Sequence, residues 1–168
     1  LERFPDVSFG ERGVRVADMD GDGDLDITVV RSGEVSYWPA LGNNSWADRV
    51  VMENTPVFPE GYRDERVLLC DVDGDGCADL VYLDFDRIIL WINRCGNGFS
   101  LPIEIPVVPV GLSNARPLLV DLWGDGRFGL VWGASHGQEE STGMRYFRFM
   151  STPAPYLLTG IDNGMGGE

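Results

Sequence analysis

The sequence predicts an all-β fold, a partial β-propeller of about three four-stranded blades with calcium-binding loops, and two observations carry that expectation. An aspartate- and glycine-rich loop recurs at nearly constant spacing. Between its copies lie short β-branched and aromatic runs separated by Gly, Asn, Asp and Pro, the punctuation of strands and turns. No window of 12 residues carries a helical apolar stripe.

The repeat organises the chain. Val16-Ala17-Asp18-Met19-Asp20-Gly21-Asp22-Gly23-Asp24-Leu25-Asp26-Ile27 aligns with Leu69-Cys70-Asp71-Val72-Asp73-Gly74-Asp75-Gly76-Cys77-Ala78-Asp79-Leu80, 53 residues on. A third copy, from Leu119-Val120-Asp121 to Phe128-Gly129-Leu130, follows 50 residues later. The register extends past the loop: Trp38 lies 20 residues after Asp18, and Trp91 lies 20 after Asp71. Turn-rich segments follow at Leu41-Gly42-Asn43 and at Cys95-Gly96-Asn97-Gly98.

The strands then fall in order. Val14-Arg15-Val16-Ala17 and Val67-Leu68-Leu69-Cys70 lead into the first two loops, and Ile27-Thr28-Val29-Val30 and Leu80-Val81-Tyr82-Leu83 lead out. Val35-Ser36-Tyr37-Trp38 and Ile88-Ile89-Leu90-Trp91 form third strands; Arg49-Val50-Val51-Met52 and Ile103-Glu104-Ile105 form fourth ones. Four short strands every 50 residues or so describe a propeller blade. A two-sheet sandwich also has short strands, but it does not require one loop at the same point of each unit. The units span about residues 10–62, 63–112 and 113–155, with a tail at 156–168, all within one propeller fragment. Propellers have roughly four to eight blades, so the expectation is that further sequence completes the ring. The third unit departs from the pattern. A polar run, residues 135–143, replaces the short turn after Leu130-Val131-Trp132-Gly133 and is expected to protrude. It holds the only histidine, His136, read as solvated, and Met144-Arg145-Tyr146-Phe147-Arg148-Phe149 follows as a strand.

Composition narrows the function classes. The formal net charge is −14, from 27 acidic and 13 basic residues, which argues against a nucleic-acid partner. Nine aspartates lie in residues 18–26 and 71–79, so much of the charge is local. No apolar run approaches the roughly 18 residues of a membrane span. The start, Leu1-Glu2-Arg3-Phe4-Pro5, has neither an initiator Met nor a signal-peptide pattern, which suggests a processed chain or a fragment. Cys70, Cys77 and Cys95 are odd in number and match no zinc spacing; they are read as buried or idle thiols, with a disulfide from Cys95 to either of the others left open. Asn43-Asn44-Ser45 has the form of a glycosylation sequon.

The pattern Asp-x-Asp-Gly-Asp-Gly-x-x-Asp offers carboxylates at positions 1, 3, 5 and 9 and a backbone carbonyl at 7. Ca²⁺ takes roughly six to eight oxygens at about 2.3–2.6 Å. Without a cation, each pair of carboxylates at about 4 Å repels by roughly 4 kcal/mol at an effective dielectric of 20. The expected ligands are Asp18, Asp20, Asp22 and Asp26 with the carbonyl of Asp24, then Asp71, Asp73, Asp75 and Asp79 with the carbonyl of Cys77. The third loop, residues 121–129, keeps Asp121 and Asp125 but has Trp123 at position 3 and Gly129 at position 9, and is expected to be empty. An EF-hand needs Glu at position 12 and flanking helices; here Val29 and Tyr82 stand there, between strands. Mg²⁺ seldom uses such all-protein cages. No nucleophile with a base accompanies either loop, so the metal reads as structural and the chain as non-enzymatic. Trp38, Trp91 and Trp132 read as packing between blades rather than as a sugar platform.

These loops and their strand flanks resemble the FG-GAP or VCBS repeats of integrin α-type propellers. Further words are similar to the B component of insecticidal toxin complexes and to SpvB-type virulence proteins, in the propeller of their middle N-terminal region: Val14-Arg15-Val16-Ala17-Asp18-Met19-Asp20-Gly21-Asp22-Gly23, Val35-Ser36-Tyr37-Trp38-Pro39-Ala40-Leu41-Gly42, Leu90-Trp91-Ile92-Asn93 with Gly96-Asn97-Gly98-Phe99, and Pro155-Tyr156-Leu157-Leu158-Thr159-Gly160-Ile161-Asp162-Asn163-Gly164-Met165-Gly166. The resemblance implies secretion, protein partners among the other toxin components, and a propeller that docks on the pore-forming translocation component as its gate. RHS-type repeats would build the shell around the toxic enzyme elsewhere in such a protein. The alternative reading is the propeller of a surface adhesion or matrix-binding protein; a third is an enzyme on a propeller scaffold.

Overall fold

The computed structural model describes residues 4–106, 117–124, 128–133 and 144–150. Within them eleven strands form three antiparallel sheets. The first sheet takes β1 (Val14–Ala17), β2 (Asp26–Arg31), β3 (Glu34–Trp38) and β4 (Val50–Val51) in sequence order. The second repeats this meander with β5 (Val67–Cys70), β6 (Asp79–Leu83), β7 (Ile88–Trp91) and β8 (Ile103–Ile105). The third comprises β9 (Leu118–Val120), β10 (Gly129–Gly133) and β11 (Met144–Arg148), with β10 central.

The sheets are open meanders, and they have the form of propeller blades. The repeat found in the sequence is also a repeat of pairing register: Ala17 opposes Asp26 as Cys70 opposes Asp79, and Ile27 opposes Trp38 as Leu80 opposes Trp91. Each Asp loop is thus the connection between the first two strands of a blade. One element lies outside the sequence expectation, a single 3₁₀ turn at Asp64–Arg66 before β5. There Asp64 meets Arg15 of β1 at 3.0 Å and ties the entry of the second blade to the first.

Blade stacking explains why the inner strands read as continuous apolar runs rather than alternating ones. Side chains on a strand point to opposite faces by turns, and here both faces of the second blade are covered. Leu80, Tyr82, Ile89 and Trp91 join a core with Met19, Val30, Val35, Tyr37 and Met52 of the first blade. Their neighbours Val81, Leu83, Ile88 and Leu90 join a second core with Leu130 and Trp132 of the third. Phe58, from the connection between the blades, inserts into the first core against Tyr62, Tyr82 and Trp91. Trp91 and Trp132 are therefore packing residues, while half-buried Trp38 lies under the Arg49 guanidinium at 5.7 Å.

Candidate metal centre

Both Asp loops are wound by their own first carboxylate. Asp18 Oδ1 and Oδ2 accept the N–H groups of Gly21 and Gly23, and Asp71 accepts those of Gly74 and Gly76 in the same way. The 5-position and 3-position acids continue the coil: Asp22 accepts from Asp24 N–H, Asp73 from Asp75 N–H and Asp75 from Cys77 N–H. The gathered backbone donors hold the carboxylates close despite their mutual repulsion.

The expected ligands come together in part. Oxygens of Asp18, Asp20 and Asp22 lie within 4.8 Å of one another, as do those of Asp71, Asp73 and Asp79. Asp75 belongs instead to a cluster with the sulfurs of Cys77 and Cys95. Asp24 sits exposed at the loop tip, and Cys77, its counterpart, is wholly buried. Of the third loop Asp121, Trp123 and Gly129 are described; Asp125 lies outside the described residues, as do His136, residues 135–143 and the tail at 156–168.

Asp26 and Asp79, the 9-position acids, carry a second duty that spacing alone does not reveal. Each is fully buried. Asp26 Oδ2 accepts from Met19 N–H at 2.9 Å and Oδ1 from Ala40 N–H at 2.8 Å. Asp79 accepts from Val72 N–H at 2.9 Å and Asn93 N–H at 2.7 Å. Each acid therefore pins its own loop to the end of the blade's third strand. Burial raises the Asp26 carboxyl to about 6 and that of Asp79 to about 8, and the neighbouring acids add to the rise. The two backbone donors oppose it without cancelling it.

Other features bear directly on the fit to a cation. Asp20 Oδ1 is buried without a hydrogen-bond partner, and desolvation followed by Asp22 and Asp18 raises its pKa. Asp73 is raised in the same way, by desolvation and then by Asp75 and Asp71. Among the described residues, ion pairs engage Asp64, Glu11, Glu34, Asp84 and Glu104, and none engages these loop acids. Hard oxygens, an orphaned buried lone pair and no compensating guanidinium make a donor set suited to Ca²⁺.

Asn93 is the residue that motif reading missed. Fully buried, it donates from Nδ2 to the carbonyls of Met19 and Ala78 and accepts at Oδ1 from Gly96 N–H. It binds both Asp loops to one turn, helped by Ala78 N–H donating to Asp18 O at 2.7 Å. The turn fits because Gly96 has φ +77 and no side chain: a Cβ there would lie 2.1 Å from Tyr37 Oη and 3.2 Å from Asp20 Cβ. Tyr37 itself is pushed up to about 12 by burial and by Asp20. In the sequence Asn93 is a polar residue closing an apolar strand, within a stretch that carries the family resemblance but with no role of its own.

The fold and the loops together define a class, propeller blades with an acidic loop between their first two strands. Comparison with known proteins agrees. Residues 18–82 match the family model of the FG-GAP-like repeat. The crystal structure of TcdB2–TccC3 shares the fold with TM-score 0.73 and 24% identity, over 85% of this chain and 7% of that one. The Tc holotoxin pore of Photorhabdus luminescens matches with TM-score 0.69 and 25% identity, over 84% and 6%. An Agrocybe aegerita lectin that recognises non-reducing terminal N-acetylglucosamine matches with TM-score 0.57 and 21% identity, over 70% of this chain and 31% of that one. No curated protein matches the sequence. The chain spans less than a tenth of the toxin chains it resembles.

Proposed function

We propose that this chain is a calcium-stabilised propeller segment of a toxin-complex B-type component, secreted, without catalysis of its own, that presents docking surfaces to the pore-forming partner. The observation that supports it best is the combination of FG-GAP-like loops at residues 18–82 with a toxin-type fold over 85% of the chain. The FG-GAP match alone would serve an adhesion propeller equally well; the longer toxin match favours the first reading. No helix among the described residues is long and apolar enough to cross a membrane.

One cation would be held by Asp18, Asp20 and Asp22, a second by Asp71, Asp73 and Asp79, with Asp26, Asp75 and the carbonyls of Asp24 and Cys77 as the further oxygens expected from the repeat. Bound Ca²⁺ supplies positive charge at the point where carboxylates converge. That role is structural: these acids wind the loops and anchor the strands, and the surfaces beside them meet partners.

The test is calcium titration of chelator-treated protein, followed by melting. Two equivalents are expected to bind, raising the melting temperature by roughly 5–10 °C at saturation. Asp20→Ala and Asp73→Ala should each remove one equivalent, and Asp125→Ala should leave the count unchanged. Full calcium stabilisation in the double variant would defeat the assignment. Binding to a purified pore-forming toxin component, measured with and without Ca²⁺, tests the docking role; no binding in either state would defeat it.

A further inference from the structure

The internal repeat gives each residue of the second blade a counterpart in the first. At the 53-residue offset Cys77 corresponds to Asp24 and Cys95 to Gly42. Neither first-blade residue carries a thiol; in the second blade both positions are cysteine. The paired change matters because the two positions face each other. The sulfurs of Cys77 and Cys95 and an oxygen of Asp75 lie within 4.8 Å of one another, and both thiols are free.

The backbone around the pair is held on both sides by one side chain. Asn93 binds the carbonyl of Ala78, next to Cys77, and the N–H of Gly96, next to Cys95. Cys95 also occupies a left-handed turn position, φ +45, where the first blade has Gly42 at φ +71. Among the described residues, the other non-glycine ones with positive φ are Asn43, Asn44 and Asn54, a type that tolerates this region. A cysteine in this region is an uncommon backbone state, and its sulfur lies beside that of Cys77. Cys70 stands apart, buried in the core between the second and third blades.

We propose that Cys77 and Cys95 are a redox pair that closes to an intramolecular disulfide, with Cys70 left as the free thiol. The exposures set the order of events: Cys95 is exposed and Cys77 is wholly buried. With a small-molecule disulfide such as oxidised glutathione as oxidant, the Cys95 thiolate attacks one glutathione sulfur and expels the other as a thiolate. The Cys77 sulfur then gives up its proton and attacks Cys95 Sγ, displacing the second glutathione. Two protein thiols lose two electrons, one glutathione disulfide becomes two thiols, and the two cysteine protons end on them. Closure gives up the Cys95 thiol contact to Asp75 Oδ2, 3.8 Å in the reduced form. It also ties the second Asp loop to the turn after β7 by a covalent bond.

The reduced 168-residue chain incubated in a glutathione redox buffer, quenched by alkylation and mapped by non-reducing proteolysis, tests this. The free thiols should fall from three to one, the intact mass should drop by two hydrogen atoms, and a Cys77–Cys95 linked peptide should appear. The melting temperature should rise by roughly 5 °C or more, because the link restricts the unfolded chain. Cys95→Ser, a change at an exposed position, should retain two thiols and show no oxidation-dependent rise. A stable glutathione adduct on Cys95 without closure, a link through Cys70, three unreacted thiols, or an oxidation-dependent rise that persists in Cys95→Ser would each overturn the proposal.

Discussion

At the scale of single residues, the loop acids divide by what their oxygens already hold. Asp26 and Asp79 each accept two backbone N–H groups in full burial. An asparagine of the same shape can accept only one of them and turns its amide against the other donor. Asp26→Asn and Asp79→Asn should therefore each cost about 2–3 kcal/mol, even in chelator where no cation contributes. Denaturant unfolding checks this; a loss seen only with Ca²⁺ present would reduce both acids to ligands. Burial also gives these groups a pH signature. The folded Asp79 carboxyl titrates at about 8, against an ordinary 3.8. Between those values the folded chain holds a proton that the unfolded chain has released, so the contribution is present at low pH and lost as pH rises through about 8. Asp26, raised to about 6, acts in the same sense over a narrower window. Metal-free protein should thus melt progressively lower from about pH 5 to pH 8, and the gain from added Ca²⁺ should widen over that range. A metal-free melting temperature that climbs with pH would show that these carboxyls stay charged.

Among the elements, Asn93 has the most distinct consequence. Its side chain joins Met19 O, Ala78 O and Gly96 N, which belong to two loops and a turn. Asn93→Ala strands two carbonyls and one N–H in the interior, and should destabilise by about 3 kcal/mol. Measured in chelator and in Ca²⁺, the deficit should persist in both, because the lost bonds are protein–protein ones. What is legible in the sequence depends on the kind of signal each feature leaves. The inner strands announce themselves by composition: β-branching and the flanking Asp loops place Ile27-Thr28-Val29-Val30 and Leu80-Val81-Tyr82-Leu83 to within a residue at each end. The fourth strand of the first blade reads as residues 49–52 and is only Val50–Val51: Met52 N–H still donates to Val35 O, but Glu53 then leaves its own sheet to pair with Gly98 of the next blade. The clustering of the loop acids, Asp18 with Asp20 and Asp22 and Asp71 with Asp73 and Asp79, is legible because their spacing is local. Asn93 is legible only in part: its bond from Gly96 N–H is local, three residues on, but the Ala78 and Met19 carbonyls lie 15 and 74 residues away, beyond any local pattern.

For the whole molecule, the question is whether neighbouring blades open separately or together. Repeat architectures gain stability from the interfaces between units as well as from the units themselves. The first two blades share a core from Ala17 to Phe99, and backbone bonds reinforce it. Glu53 N–H donates to Asn97 O at 2.9 Å, and Phe99 N–H to Glu53 O at 3.0 Å, so a parallel bridge runs from Glu53 to Gly98 across the blade boundary. The bridge needs a glycine: a Cβ on Gly98 would lie 2.6 Å from Glu53 O, a backbone atom that cannot swing aside. Gly98→Ala should therefore part the bridge and cost about 2–3 kcal/mol. Native-state hydrogen exchange shows how that cost is distributed. If the blades open as one cooperative unit, the amides of β2 and β6 should lose protection by the same free energy, although the substitution lies in neither strand. Loss confined to β6 would mean that each blade opens alone and that the shared core adds little cooperativity. Common loss has a consequence for calcium, since a cation at either Asp loop would then stabilise both blades and the surface they jointly present.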